Sequence, residues 1–363
     1  MQFLNNIVSF SIYTIFLITL LNFISIRRLS SSDSAISSKV SILIPMRNEE
    51  RNVEGSIKSA VSQHGLLDFE VLVLDDQSED RTFDIANSLK SKFTNLRLSK
   101  GGDLPDNWLG KNYALHTLSK EAKGEYLVFL DADVRLTPTA IASAIKELEA
   151  RGWSYISPYP KQLVKGFLAN LVQPLLQWSW FSTLPLKAAE RSLRRSTVVA
   201  NGQFFIARSD AYRNSGGHIE IKGEVLDDLE LARLMRKSKF RGSVVDGSRI
   251  SNCKMYENGS ELIAGYEKSQ WRAFGGFSGA ALGALFLFLT SIYPALLIVS
   301  DFQLGIFLYS LIITTRLLAA IRTDSVKWSA PLHPLAIAIW IYLIFRSILL
   351  KKKNSLYWRG RQL

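Results

Sequence analysis

Apolar residues are concentrated at the two ends of the chain, in stretches long enough to cross a membrane. No charged side chain occurs before Arg27 and Arg28, which follow the apolar stretch at once. A spanning helix needs about 20 apolar residues, and Phe3–Ile24 supplies them. A cleaved signal peptide would place its positive charge before a shorter apolar core. The pattern therefore predicts a transmembrane anchor over residues 1–28, with the following residues on the cytoplasmic side.

Further apolar stretches occupy the C-terminal third, namely Ala273–Ser300, Phe302–Ile321 and Trp328–Phe345. They predict two or three transmembrane helices within residues 273–350, followed by a basic tail over residues 351–363. Three crossings would leave Lys351–Lys353 outside the cell, against the preference of lysine for the cytoplasmic side. If Phe302–Ile321 does not cross, these lysines return to the cytoplasm, so the sequence leaves the number of spans open.

Between the apolar ends, a serine-rich stretch at residues 29–39 predicts a linker, and residues 40–272 alternate between strand and helix patterns. Short apolar runs predict buried strands at Val40–Pro45, Phe69–Asp75 and Tyr126–Asp131. Helical spacing predicts helices over Asn48–Gln63 (with Asn48 as N-cap), Thr82–Lys92, Lys111–Lys120 and Pro138–Glu149. This alternation predicts an α/β domain with a parallel sheet and helices on both faces.

Carboxylates follow two of the predicted strands. Asp75 and Asp76 end one strand, and Asp131 and Asp133 follow another. Crowded carboxylates repel one another unless a cation or a hydrogen-bonding ligand compensates them. Mg²⁺ and Mn²⁺ bind one or two protein carboxylates and complete their shell with phosphate and water. Such residues also cap helices and turns, which is the role that we expect for Asp80.

Composition excludes several classes of site. The 363 residues include one cysteine, so an internal disulfide framework and a multi-cysteine zinc site are excluded. The four histidines lie far apart in the sequence, which disfavours a histidine-rich metal site. The net charge of +12 comes without any basic block longer than Lys351–Lys353, so we expect no nucleic-acid partner.

Three ordered motifs resemble those of the family 2 glycosyltransferases, which have the GT-A fold, a Rossmann-like α/β architecture. They are Ser41–Glu50 (SILIPMRNEE), Val71–Asp80 (VLVLDDQSED) and Gly124–Asp133 (GEYLVFLDAD). The resemblance extends over about residues 40–276. It implies a nucleotide-diphosphate sugar donor (a UDP-sugar first), a divalent Mn²⁺ or Mg²⁺ ion, and inversion at the anomeric carbon.

The resemblance also assigns roles to individual donor-site residues. It implies that Pro45, Arg47 and Glu49 line the nucleotide pocket. It further implies that Asp76 accepts a hydrogen bond from the base, that Asp131 approaches the ribose and that Asp133 holds the metal.

Lys111 opens a predicted helix after a loop, where its cation could meet phosphate or base. It could equally be a surface lysine, although the helix dipole disfavours a cation there.

The acceptor side resembles the part of the family that glycosylates isoprenoid-type lipids such as carotenoids and hopanoid-related lipids. The loops Asn201–Gln203 and Gly216–His218 support this resemblance. In Leu226–Arg233 it implies that Asp228 is the general base, with Asp227 in place of the usual glutamate. These acids could instead only stabilise a helix N-terminus, and His218 could be the base or hold a loop.

Two further stretches concern the membrane and processivity. Processive members of the family have Gln-x-x-Arg-Trp, whereas this chain has Glu267–Arg272 (EKSQWR), which disfavours chain elongation. Trp271 and Arg272 could meet the donor diphosphate or mark the membrane surface.

The apolar stretch Lys165–Leu186 predicts an interfacial helix that guides a lipid acceptor, or else an ordinary core helix.

The sequence thus predicts a multi-pass protein of the cell (inner) membrane with a cytoplasmic glycosyltransferase domain that uses a lipid acceptor, a carotenoid or related isoprenoid first. An alternative acceptor is a polyprenyl phosphate. A different class is a non-catalytic membrane scaffold or lipid-binding protein. A dinucleotide-binding dehydrogenase is disfavoured, because Pro45-Met-Arg-Asn follows the first strand where Gly-x-Gly-x-x-Gly is needed.

Overall fold

A computed structural model describes residues 2–32, 35–358 and 361–362 of the chain. The helices are α1 Gln2–Ser25, α2 Val53–Val61, α3 Thr82–Lys90, α4 Gly110–Glu121, α5 Ala140–Ala150, α6 Phe167–Val172, α7 Pro174–Thr183, α8 Leu186–Ala189, α9 Ser209–Asn214, α10 Asp227–Lys237, α11 Gly259–Ala273, α12 Phe277–Leu287, α13 Tyr293–Ser300, α14 Phe302–Arg322 and α15 His333–Lys352. The strands are β1 Val40–Met46, β2 Phe69–Asp75, β3 Leu96–Lys100, β4 Tyr126–Leu130, β5 Val134–Leu136, β6 Tyr155–Tyr159, β7 Lys161–Gln162, β8 Phe204–Arg208, β9 Gly242–Asp246, β10 Ser251–Cys253, β11 Tyr357–Trp358 and β12 Arg361–Gln362. Parts of the predicted linker (Asp33, Ser34) and of the predicted basic tail (Arg359, Gly360, Leu363) lie outside the described residues.

The chain forms two compact units. The α/β unit consists of the described residues of 27–161 and 188–254. The helical unit combines the described residues of 1–26, 162–187 and 255–363. The stretch 162–187 therefore packs with the apolar helices, although it lies between strands of the α/β unit in sequence.

The α/β unit is built on a seven-stranded sheet with the strand order β3-β2-β1-β4-β8-β6-β9. β1 pairs in parallel with both β2 and β4, as the alternating pattern predicts. The predicted parallel pairing is thus confirmed for these strands, whereas β8 runs antiparallel to both β4 and β6. β8 starts beside the end of β4. There the amide of Asp131 donates to the carbonyl of Gln203, the residue directly before β8.

Apolar side chains of the buried strands form much of the core of this unit. β1 is a continuous apolar run, and Val40, Ile42, Leu43 and Ile44 have no exposed surface. Strands that are buried on both faces read as such runs. The main cluster packs the sheet residues Leu43 and Phe129 with α4 and α10.

The start of the first helix in this unit differs from the prediction. α2 begins at Val53, and Asn48 lies before it in the left-handed region with a φ of 53°. Asn48 is therefore not the N-cap. The physical reason is that the preceding loop is bonded to the loop after β2: the amide of Glu79 donates to the Asn48 side-chain oxygen over 2.8 Å.

Among its described residues, the helical unit contains four stretches that are long and apolar enough to be transmembrane helices: Gln2–Ser25, Phe277–Ser300, Phe302–Arg322 and Ala330–Lys352. The second combines α12 and α13 through a π-helical turn, Phe288–Ile292. α1 packs against α13 and α14 through a cluster that includes Val8, Leu297 and Leu308. The stretch predicted as an interfacial or core helix forms α6 and α7, in which Trp178 and Phe181 are buried.

Candidate active site

The carboxyl ends of β1, β2 and β4 lie side by side at one edge of the sheet. The register pairs Met46 with Asp75, and Leu43 with Phe129. Ligands bind outside the carboxyl ends of strands in such sheets. The residues predicted from the three motifs are therefore brought to one edge.

The loop after β1 is bonded to the loop after β2. Arg47 Nη1 donates to the carbonyls of Asp76 over 2.7 Å and of Gln77 over 2.9 Å. The amide of Glu49 donates to Thr82 Oγ1, and Glu49 Oε2 accepts from Asn52. Arg47 and Glu49 thus shape the loop where the nucleotide pocket is predicted.

Asp76 and Pro45 occupy this edge from neighbouring strands. Asp76 is buried, and its amide donates to the carbonyl of Met46. Pro45 is half-buried in β1. Asp80 Oδ1 accepts from the amide of Thr82 over 2.9 Å at the start of α3, although the N-cap position of this helix is Arg81.

Lys111 forms ion pairs with two carboxylates, Asp131 after β4 and Asp227 at the start of α10. It lies in the first turn of α4, and its Nζ is 2.9 Å from Asp131 Oδ1 and 3.2 Å from Asp227 Oδ2. Burial alone would lower the pKa of Lys111, but Asp131 and Asp227 outweigh it and raise that pKa. The lysine is therefore a fixed cation, and its contacts are with carboxylates of two different loops.

Asp133 has the surroundings of a cation ligand. Its Oδ1 is buried and has no hydrogen-bond partner. Burial, and then the neighbouring Asp131 and Glu49, raise the pKa of Asp133 to about 7. A buried carboxylate oxygen next to other carboxylates is compensated best by a bound cation.

The donor set at this point fits Mn²⁺ or Mg²⁺. In the part of the chain that the structure describes, no three His, Cys, Asp or Glu side chains form a metal cluster. Two carboxylates suffice for these ions, since substrate phosphates complete the shell. Asp133, with Asp131 beside it, therefore fits an ion that is shared with a diphosphate. The thiol of Cys253 contacts Asp133, and burial raises the pKa of that thiol.

Asp228 is held by backbone amides at the start of α10. Its Oδ2 accepts from the amide of Gly202 over 2.6 Å, and its Oδ1 accepts from the amide of Leu229 over 2.8 Å. Burial first, and then Asp227, raise the pKa of Asp228 to about 6. An acid with a pKa near the working pH suits a general base.

Gly202 lies in the loop Asn201–Gln203, which the resemblance placed on the acceptor side, but its contact with Asp228 was not predicted. A Cβ built on it would lie 3.1 Å from Asp228 Cβ and 3.3 Å from Lys111 Nζ. Glycine allows this close approach of the loop 201–203 to the carboxylate without any shift of Asp228 or Lys111. The Asn-Gly pair before an apolar strand was the available signal.

His218 packs in the core of the α/β unit. Its Nδ1 lies 2.8 Å from the hydroxyl of Tyr212, and its ring lies 5.1 Å from that of Phe129. Burial lowers the pKa of His218 to about 4. These contacts favour a role in holding its loop over a role as base.

Comparison with known proteins bears on this site. Residues 41–216 match the family described as Glycosyl transferase family 2. This segment is therefore similar to a family 2 glycosyltransferase domain. The match includes the loops of Arg47, Asp76, Asp133 and Gly202, and it ends before α10.

Two curated relatives are both named 4,4'-diaponeurosporenoate glycosyltransferase. The protein of Staphylococcus haemolyticus (strain JCSC1435) is 27% identical over 239 residues, 63% of this chain and 60% of the relative. That of Staphylococcus aureus (strain MRSA252) is 26% identical over 259 residues, 69% of this chain and 65% of the relative. The alignments thus span less than two thirds of either relative.

One solved structure has a similar fold over nearly the whole length of this chain. It is a mannosyltransferase from Pyrobaculum calidifontis in complex with GDP-Man and Mn2+. It aligns over 97% of both chains with a TM-score of 0.59 and 16% sequence identity. This likeness and the sheet order confirm the predicted GT-A fold.

Proposed function

We propose that this protein is a membrane-anchored, metal-dependent inverting glycosyltransferase. It transfers a sugar from a nucleotide-diphosphate sugar to a membrane lipid acceptor, a carotenoid or other isoprenoid first. The main support is the arrangement in which Lys111 joins Asp131 on the donor side to Asp227, directly beside Asp228. One cluster of side chains could thus bind a diphosphate and a metal ion, and it contains a carboxylate that can accept a proton.

On the donor side, Pro45, Arg47, Glu49 and Asp76 form the nucleotide pocket, and Asp131 lies near the ribose. Asp133 holds Mn²⁺ or Mg²⁺, which would supply positive charge to the leaving diphosphate. The related fold that was solved with GDP-Man and Mn2+ is compatible with this assignment. UDP-sugars remain the first donors to test, with GDP-sugars second.

In the reaction, Asp228 accepts the proton of the acceptor hydroxyl while that oxygen forms a bond to the anomeric carbon. The bond from the anomeric carbon to the diphosphate oxygen breaks, and the nucleoside diphosphate leaves with the electron pair. Attack from the opposite face inverts the anomeric configuration. A positioned base typically contributes about 10²–10⁴ in rate.

A second acceptor class follows from the relatives, which are named for 4,4'-diaponeurosporenoate, a carboxylate. An ionised acceptor, whether a carboxylate or a polyprenyl phosphate, needs no base. Asp228→Asn should therefore lower transfer to a lipid alcohol by about 10²–10⁴ and largely spare transfer to an ionised acceptor. The exposed Asp84→Asn on α3 is the matched control.

We also propose that the protein spans the cell (inner) membrane several times, with the glycosyltransferase domain in the cytoplasm. The support is the set of four long apolar stretches together with Arg27 and Arg28 directly after the first.

The deciding experiment is a donor assay on the detergent-purified protein. A panel of UDP- and GDP-sugars is tested with Mn²⁺, with Mg²⁺ and with EDTA, beside Asp133→Asn and Asp84→Asn. We expect turnover of one donor that requires metal and is lost only in Asp133→Asn. If neither UDP nor GDP binds by calorimetry in the presence of metal, the glycosyltransferase assignment is wrong and a non-catalytic scaffold is favoured.

A further inference from the structure

The last apolar helix, α15, is long enough to cross a membrane, at about 30 Å for its 20 residues. Its C-terminal half lies beside α11 and the start of α12. Ser347 Oγ accepts from the amide of Trp271 over 2.9 Å, and the rings of Phe345 and Phe277 are 6.1 Å apart. Lys352 Nζ lies 5.1 Å from the ring of Phe277. The end of α15 is therefore level with the beginning of α12.

The beginning of α15 lies part-way along α14. The hydroxyl of Tyr309 donates to the carbonyl of Pro331, just before α15. At 1.5 Å per residue, Tyr309 lies about 20 Å before the end of α14. The chain thus leaves α14 at Arg322 and runs back along it before α15 starts. α15 also packs on the π-helical turn in the middle of the α12–α13 stretch.

The C-terminal end of α14 and the N-terminal end of α12 lie at the same end of the helical unit. Arg322 Nη2 donates to the carbonyl of Ile26, directly after α1, so α1 and α14 end together. The opposite end is marked by the turn at Asp301, which caps α14 and accepts from the amide of Leu304. Leu297 before this turn packs with Val8 near the start of α1. α12 therefore starts at the end where α1 and α14 finish.

Buried polar side chains stabilise the segment that turns inside the helical unit. Arg316 of α14 is buried, and its Nη2 donates to Ser329 Oγ over 3.1 Å and to the carbonyl of Leu171. His333 Nδ1 lies 3.4 Å from Arg316 Nη1. Non-helical backbone is tolerated at membrane depth only where protein groups surround and pair it. Ser329, which is buried in this segment, meets this condition through Arg316, whereas Asp324 and Lys327 closer to the end of α14 are exposed.

We propose that α15 is a re-entrant helix that enters and leaves the membrane at one face, the face where α1 ends. Lys351–Lys353 then contact anionic phospholipid head groups of that leaflet. Basic residues next to a membrane prefer the cytoplasmic leaflet because its lipids are anionic. The same lysines that contradict the charge rule after three C-terminal crossings satisfy it when α15 returns. This inference does not depend on the proposed enzymatic activity.

Cysteine labelling tests the path of α15 directly, because the native Cys253 is buried and gives no background. Three single variants are compared: Ser355→Cys after α15, Ser300→Cys at the α13–α14 turn, and Ser91→Cys in the α/β unit. All three serines are exposed. A membrane-impermeant maleimide is applied to intact spheroplasts and to inside-out vesicles.

We expect Ser355→Cys to label together with Ser91→Cys, and Ser300→Cys to label from the opposite side. If Ser355→Cys labels together with Ser300→Cys, α15 crosses the membrane and the proposal is wrong. Detergent-solubilised protein, in which all three positions should react, checks that each thiol is accessible.

The lipid contact is tested with the exposed pair Lys352→Gln/Lys353→Gln against the equally exposed pair Lys90→Gln/Lys92→Gln. Native mass spectrometry counts phosphatidylglycerol bound from mixed phosphatidylglycerol–phosphatidylcholine nanodiscs. We expect at least a twofold loss of bound phosphatidylglycerol in the first pair only. Equal retention in both variants would overturn the lipid contact.

Discussion

Asp228, the base in our proposal, has a proton affinity that depends on its neighbour Asp227. Because burial and the Asp227 charge raise its pKa to about 6, Asp228 loses its function as the pH falls through that value. With a hydroxyl acceptor, we expect kcat/KM to fall about tenfold per pH unit below about pH 6. Asp227→Asn removes the second cause, so this acidic limb should move to lower pH. Rate profiles between pH 4.5 and 8 measure the shift.

His218→Gln provides the control for this pH profile. His218 titrates far from neutrality in the folded protein, with a pKa lowered to about 4. The variant should therefore keep the acidic limb near pH 6 even if it is less stable. If the acidic limb of the kcat/KM profile disappeared in His218→Gln but did not shift in Asp227→Asn, the base would be His218 and not Asp228.

Gly202 tests how closely Asp228 must be positioned. In Gly202→Ala the new methyl group would meet Asp228 Cβ at 3.1 Å, so the carboxylate or the loop must move by a few tenths of an ångström. We expect kcat to fall about tenfold, since small misplacements of reacting groups are costly, with the donor KM unchanged. Gly102→Ala, where a Cβ meets nothing within 4 Å, should leave both constants unaltered. A normal kcat in Gly202→Ala would show that the loop absorbs the methyl group without displacing Asp228, which would contradict the tight positioning that we predict.

The sequence identified most of these groups but not the contacts between them. Asp131 and Asp228 lie about a hundred residues apart, and sequence spacing does not show that Lys111 reaches from one side of the site to the other. The antiparallel strand β8 begins directly after the loop 201–203 and brings it to the end of β4, where Gly202 donates to Asp228. The alternation pattern does not determine strand direction, so the contact between this loop and Asp228 was not predictable.

Among the structural elements, the loops after β1 and β2 behave as one bonded pair. The second strand was predicted at its observed bounds, Phe69–Asp75, because its apolar run is short and ends in two acids. The helix after β1 was expected five residues too early, since helical spacing alone cannot show that Asn48 bonds to another loop. Local patterns thus predict buried strands well and loops poorly.

Asn48→Ala should destabilise this pair of loops. The substitution removes the acceptor for the amide of Glu79 and places an alanine at a φ of 53°, where asparagine is tolerated better. We expect a loss of about 1–3 kcal/mol in the free energy of unfolding and weaker nucleotide binding. Chemical denaturation and calorimetry with UDP measure the two effects. The exposed Asn87→Ala on α3 should change neither, and equal stability of the two variants would contradict the prediction.

In the whole molecule, apolar segments that are far apart in sequence form the helical unit. The composition of the chain ends predicted the four apolar stretches, but the inclusion of residues 162–187 depends on polar pairing that hydropathy does not show. Asn22 near the end of α1 is fully buried, and its Nδ2 donates to the carbonyls of Phe181 and Leu184, both over 2.7 Å. Trp178 Nε1 likewise donates to Thr315 of α14 over 2.9 Å.

Asn22→Leu tests whether this pairing holds the α7 segment in the helical unit. The side chain also accepts from the amide of Leu186 over 3.0 Å, so the variant loses three hydrogen bonds and leaves backbone groups unpaired. At about 0.6 kcal/mol per bond in a membrane environment, we expect a loss of about 2 kcal/mol, seen as a lower unfolding midpoint in one fixed detergent. Thr14→Val is the control, because Thr14 is exposed on the same helix and bonds only to the carbonyl of Phe10. If the two variants unfold at the same temperature, Asn22 does not stabilise this segment, and apolar packing alone retains α7 beside α1.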